Sequence, residues 1–320
     1  MKKRKPPRLS KTSTFAAPRR PKTVEERLLD SQTVGKATLL GLMARKIVEG
    51  SMAGLNKSPF SGFAIEFRQH REYAPGDELK HIDWRLFGRT DRFYIKQYEQ
   101  ETNFEATLLL DASESMAYGE GAQNKMEFGR ILAAVFAYLV LMDRNRLTFR
   151  LFDTDARDVL PPTSNPGTLH NILERMVRQE PERETAIGGI LKDLAATLRA
   201  KGICIVISDL FDEPDEVLEG LRHLAFLGQE VIVFHVMHPD ELEFPFDGTV
   251  EFEGFEVPDK LLMQPQRIRE SYLETVNAFR NRIQKTCEQN DIGYTLVDTS
   301  KSPEEIVAGF LSSRAHATGR

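Results

Sequence analysis

Leu108-Leu109-Leu110-Asp111-Ala112-Ser113-Glu114-Ser115-Met116 is an apolar strand that ends in one carboxylate and two hydroxyls spaced two apart, with a long helical run beginning soon after, at Lys125. In an open α/β sheet, ligands bind outside the carboxyl ends of the strands, near the point where strand order reverses. The reading therefore sets Asp111, Ser113 and Ser115 at a ligand-binding edge.

Working outward, the chain after Asn103 alternates apolar strands with helices. Strands are predicted at 106–110, 147–152, 203–207, 231–236 and 294–297, and helices at 125–143, 168–178, 186–200, 213–226, 264–290 and 303–311. This alternation predicts an α/β fold of Rossmann type, a mostly parallel sheet with helices on both faces. The 131–142 stretch is apolar nearly all round, which places its helix centrally. The 264–290 helix carries Ile268, Tyr272, Val276, Phe279 and Ile283 on one stripe.

Two later positions bring further oxygen atoms to the same edge. Thr185 immediately precedes the helix that starts at Ala186, and Asp209 follows the strand ending Ile207-Ser208. Asp111, Ser113, Ser115, Thr185 and Asp209 together offer oxygen donors only, a set that suits a hard cation, Mg2+ first and Mn2+ second. Zinc prefers nitrogen or sulfur. Ser113 and Ser115 also have a plain structural use, as caps of the turn and helix that follow. His235-x-x-His238 is a poor metal pair, because residues three apart on a strand point to opposite faces. Gly119-x-Gly121 followed by Lys125 lacks the spacing of a phosphate-binding loop.

The rest of the chain sets the bounds. Its 320 residues, 41% hydrophobic and 28% charged, fit a globular protein, and two cysteines, Cys204 and Cys287, are too few for a disulfide framework, so a cytoplasmic location is expected. Net charge is −5, yet residues 1–22 hold nine basic side chains, four prolines and no acid, which leaves −14 on the remainder. Residues 1–30 read as a disordered basic arm. Its partner is open among an anionic membrane surface, nucleic acid and an acidic hairpin of the chain itself, with simple solvation as the plain alternative. Specific nucleic-acid binding is not expected, for want of aromatic interleaving. No stretch has the length of a transmembrane helix. Residues 31–102 read as one amphipathic helix, near 33–49, followed by a β-rich extension, and 103–320 as the main domain. Between Pro239 and Asp259 lie eight acids and no Lys or Arg, an acidic insertion at about 239–260 read as a surface hairpin.

Asp111-x-Ser113-x-Ser115, then Thr185, then Asp209 resembles the metal-ion-dependent adhesion site of von Willebrand factor type A domains. Upstream, Arg71-x-Tyr73-x-Pro75-Gly76-Asp77, then Asp83-Trp84 and Arg89, resembles the bacterial domain of unknown function 58 family, over roughly residues 35–312. The resemblance implies a non-enzymatic adaptor module whose site holds Mg2+ together with a partner carboxylate. It also implies, as partner, a MoxR-type AAA ATPase acting on a client protein. Where many type A domains have glycines before the threonine and after the second aspartate, this chain has Arg183-Glu184 and Leu210. Many family members carry an N-terminal membrane anchor; none is expected from this sequence, which resembles the shorter soluble members. Arg71, Tyr73, Gly76, Asp77, Asp83, Trp84 and Arg89 are read as a structural, ion-paired cluster around the single tryptophan, or as a partner contact. Two other functions stay open: a scaffold with an inactive site that recruits through its arm, and a Mg2+-dependent phosphohydrolase with Asp111 as nucleophile, against which Ser113 stands where a general acid is needed.

Overall fold

In the computed structural model of the protein, residues 24–52, 65–75, 77, 82–100, 104–181, 185–198, 200–248, 250–253 and 260–318 are described. The basic residues 1–22 lie outside them, and so do Gly76, Arg183 and Glu184. A six-stranded sheet forms the centre. It is built from β3 (Glu105–Asp111), β4 (Arg146–Phe152), β5 (Ala156–Thr163), β6 (Ile203–Ser208), β7 (Glu230–Met237) and β10 (Gly293–Asp298), in the order β10-β7-β6-β3-β4-β5. All neighbours are parallel except the edge pair β4–β5. The chain leaves β3 toward β4 and β5 and returns on the other side at β6, so strand order reverses between β3 and β6.

Side-chain alternation divides the core into two layers. Leu108, Leu110, Ile205, Ile207, Ile232 and Phe234 face α1 (Val24–Ser51), α3 (Lys125–Met142), α4 (Leu169–Arg178) and α9 (Pro303–Thr318). Leu109, Cys204, Val206, Val231 and Val233 face α5 (Ile187–Thr197), α6 (Pro214–Phe226) and α8 (Arg269–Gln289). Strands buried on both faces read as unbroken apolar runs, and for that reason these were legible. Each such fully buried aliphatic or aromatic side chain contributes roughly 1.5–3 kcal/mol. Helix α3 starts at Asn124, whose side chain accepts from Glu127 N at 3.0 Å, and it is buried on nearly every side. The helix expected near 33–49 is α1, which packs Ala37, Leu40, Ala44 and Ile47 into the same core as α3.

One strand of the main sheet is not predicted by the sequence. β5 contains Pro161-Pro162, and proline cannot donate to a strand ladder, so the residues read as a breaker; the structure accommodates them by placing β5 at the sheet edge. The acidic insertion begins with α7 (Pro239–Glu243) and continues as β8 (Val250–Glu253), paired antiparallel with β9 (Lys260–Met263); residues 254–259 between the two strands lie outside the described residues. The upstream extension contains β1 (Ile65–Glu72), α2 (Trp84–Thr90) and β2 (Tyr94–Gln100), with β1 and β2 antiparallel. No helix among the described residues is long and apolar enough to cross a membrane.

Candidate cation site at the strand switch

The site lies where β3 and β6 end side by side. Asp111 is fully buried at the end of β3, where the chain turns out of the sheet through Ser113, whose amide donates to Asp111 Oδ1 at 2.9 Å. A 3-10 turn (Glu114–Ala117) then carries Ser115 back beside Ser113, the two hydroxyl oxygens being 3.1 Å apart. Thr185 precedes α5 and its hydroxyl is 3.4 Å from Asp111 Oδ2; the adjoining Ala186 amide bonds to Asp153 O, which ties this loop to the end of β4. Asp209 follows β6, is 5% exposed, accepts from Phe211 N, and has the Ser115 hydroxyl among the groups that lower its pKa. The fold thus brings all five residues singled out from the sequence to the same end of β3 and β6, with Asp111, Ser113, Ser115 and Thr185 linked by hydrogen bonds.

Three further residues complete it. Ser208 Oγ donates to Asp111 Oδ2 at 2.5 Å and accepts from Leu210 N at 2.9 Å. Lys125, 1% exposed in the first turn of α3, places its Nζ 2.8 Å from Asp209 Oδ2 and 2.7 Å from Glu241 Oε1. Glu241 in turn caps α7, accepting from His238 N at 2.7 Å. Sequence reasoning noted Lys125 only as part of a failed phosphate loop. The usable signal was a lysine opening a helix that is otherwise buried almost throughout, since a buried ammonium requires carboxylate partners.

The electrostatics follow from burial. Asp111 is pushed up to about 7 by desolvation and by the Asp209 charge, partly offset by the bonds from Ser208 and Ser113. Asp209 moves the other way: burial would raise it, but the Lys125 charge and hydrogen bonds hold it below the ordinary carboxylate range. Lys125 stays charged, because Asp209 and Glu241 outweigh its desolvation. One carboxylate thus stands poised between protonation states beside another that is fixed as an anion.

Leu210 occupies a position where a glycine is common in the adhesion-site domains that the motif resembles. It is buried and adopts φ 56°, in the left-handed region. For a leucine that conformation costs about 1–3 kcal/mol.

The upstream motif forms a separate group. Arg71 Nη2 donates to both Asp77 oxygens at 2.7 and 2.8 Å, and Ala74 N donates to Asp77 Oδ2. Asp83 caps α2 by accepting from Arg85 N and Leu86 N, and bonds the His70 ring at 2.9 Å. Trp84 is 62% exposed and meets Phe87 and Phe93 edge-on, Tyr73 packs on Phe93, and Arg89 lies exposed in the last turn of α2. The motif thus holds both ion pairs, Arg71 with Asp77 and His70 with Asp83, and aromatic contacts to Trp84. The two histidines near the end of β7 serve different purposes: His235 bonds Tyr294 OH and is held neutral, its pKa lowered to about 4 by burial, while His238 caps α7.

The donor set fits a hard cation on chemical grounds: two carboxylates and three hydroxyls converge, with no thiolate or imidazole among them. Among the described residues no group of three or more His, Cys, Asp or Glu side chains that could hold a metal ion is found, this site with its two carboxylates included.

A family model described as "Protein of unknown function DUF58" matches residues 69–282. An uncharacterized protein of Mycobacterium tuberculosis strain H37Rv, Rv1480, is 24% identical over 294 residues, covering 89% of this chain and 90% of the relative; Mb1516 of Mycobacterium bovis, also uncharacterized, gives the same figures. Among solved structures, the conserved hypothetical protein BatB from Bacteroides thetaiotaomicron aligns over 67% of this chain and 100% of that chain, with a TM-score of 0.43 and 18% identity. The SpRpn10 VWA domain aligns over 64% of this chain and 94% of that chain, with a TM-score of 0.36 and 11% identity.

Proposed function

For a chain that belongs to the DUF58 family of proteins of unknown function, we propose the role of a non-enzymatic adaptor that recognises a partner carboxylate at a cation site. The observation that carries this reading is the convergence of Asp111, Ser113, Ser115, Thr185 and Asp209 at the β3–β6 switch. Ser113, Ser115, Thr185 and Asp209 would hold Mg2+ or Mn2+, and Asp111 would order the cluster through its bonds from the Ser113 amide and the Ser208 hydroxyl. The bound cation supplies positive charge for an incoming carboxylate. The full burial of Asp111 favours binding over phosphoryl transfer, because a nucleophile has to reach substrate. A cytoplasmic adaptor working with a MoxR-type AAA ATPase on a client protein is the partner arrangement that the family resemblance favours.

One observation favours the rival scaffold reading. The Lys125 ammonium already neutralises Asp209, so a permanently self-satisfied site is the specific alternative. Calorimetric titration of metal-stripped protein with Mg2+ and Mn2+, with thermal melts in parallel, separates the two. A binding-competent site gives saturable heat and a melting point that rises with metal in wild type but not in Ser113→Ala. Folded wild-type protein with neither response supports the scaffold.

A further inference from the structure

A cavity of about 520 Å3 opens beside Asp209, between the ends of β6 and β7 and helices α7 and α8. It falls in the size range of ligand pockets. Its walls are chiefly apolar: Phe211 and Met237, with Tyr272, Val276 and Phe279 contributed by α8. Three observations mark it as a receptor for something outside this fold. On α8, Ile283 and Cys287 are fully buried in the core and Phe279 packs against it, while Tyr272, Val276 and Phe279 are only partly buried and line the cavity. Phe211, two residues beyond Asp209, is 57% exposed, and the strained left-handed Leu210 separates the two. The Tyr272 hydroxyl makes no hydrogen bond among the described residues, which leaves a donor for a peptide carbonyl.

Asp209 belongs both to the cation cluster and to the cavity wall. We propose that the two are halves of one recognition surface: the peptide whose carboxylate completes the cation site inserts a neighbouring large apolar side chain, aromatic or leucine-like, into the cavity. This rests on the cation reading above and adds to it the class of partner sequence, an acidic residue next to a bulky apolar one.

Two methionines permit a test in a single spectrum. Met116 follows Ser115 in the cation cluster, and Met237 lines the cavity. With [13C-methyl]methionine-labelled protein, N-acetyl-aspartyl-phenylalanine amide is titrated against its aspartyl-alanine and asparaginyl-phenylalanine counterparts, in Mg2+ and in EDTA. In Mg2+ the aspartyl-phenylalanine probe should bind roughly tenfold or more tightly than the alanine probe, the increment expected from burying the ring. Only the phenylalanine probes should shift Met237. Ala278→Trp, which fills the cavity from an exposed wall position, should abolish the difference while the Mg2+ response of Met116 is unchanged.

Equal affinity for the phenylalanine and alanine probes, with Mg2+ still required, would overturn the proposal and leave the cation reading standing. Binding of the asparaginyl probe in EDTA as tightly as the aspartyl probe in Mg2+ would make the cavity an independent apolar site and overturn the two-point scheme. A Met116 resonance indifferent to Mg2+, with no probe bound, would remove the cation reading and the proposal with it.

Discussion

Lys125→Met is the most informative single substitution in this protein. The ammonium bridges Asp209 to Glu241, the three side chains being 1%, 4% and 27% exposed, with both contacts under 3 Å. Removing one partner of a buried pair leaves the other as an uncompensated charge, at about 3–5 kcal/mol. Glu241 regains water in part, whereas Asp209 keeps its bond from Phe211 N, so most of the cost falls on Asp209. At about 2.1 cal/mol/K per residue the unfolding entropy of a chain this long is about 0.7 kcal/mol/K, which converts the loss to roughly 4–7 °C in Tm. Metal-free protein unfolded by urea and by heat measures the cost, and Lys125→Met combined with Asp209→Asn closes a double-mutant cycle whose coupling should be about 2 kcal/mol or more. Added Mg2+ should restore the single variant by more degrees than it raises wild type, because the cluster has lost its resident positive charge. A destabilisation below about 1 kcal/mol, or no rescue by Asp209→Asn, would refute the view that Lys125 neutralises this site.

Stability should also depend on pH through Asp111. Its folded pKa, about 7, lies above the ordinary carboxylate value, so the folded state holds the proton more tightly. Its stabilising effect is complete below about pH 4 and is lost as pH rises toward 7. The urea midpoint of metal-free wild type should therefore fall across that window, and Asp111→Asn should flatten the slope. Gly188→Ala would set its Cβ 2.6 Å from Glu216 Cβ; forcing α5 from α6 should cost about 1–3 kcal/mol in a thermal melt and weaken Mg2+ binding through displacement of Thr185. Asp83→Ala removes the cap of α2 and should cost about 1 kcal/mol, with Asp83→Asn retaining most of it, as read by chemical denaturation. Cys204 and Cys287 are fully buried, with thiols pushed up to about 12 by desolvation. Neither should react with a thiol reagent until the protein unfolds, as a reaction time course with and without denaturant will show.

The α/β architecture was readable because the central strands β3, β6 and β7 are apolar runs buried on both faces, and α3, α4, α5 and α6 begin and end within about three residues of their expected bounds. β5 escaped because its two prolines deny the ladder pattern that identifies strands, a feature tolerable only at an edge and therefore visible only once the sheet is assembled. In the site, the five oxygen donors stood out by chemistry and spacing. Lys125 and Glu241 did not, since they are 116 residues apart and only the folding of α3 against α7 makes a bridge of them. Ser208 sat next to a residue already singled out, but a buried strand serine carries no mark in sequence of whom it will bond.

The hydrogen bond from Ser208 to Asp111 joins residues 97 apart in the chain, and it depends on β6 having docked beside β3 after the excursion through β4, β5 and three helices. Contacts of such long loop span are among the last that a folding chain secures, since closure entropy precedes their reward. No fragment or half-folded intermediate can present this cluster. A ligand of the site therefore selects the finished molecule alone, and its binding energy appears as stability of the whole domain and not of the loops that touch it.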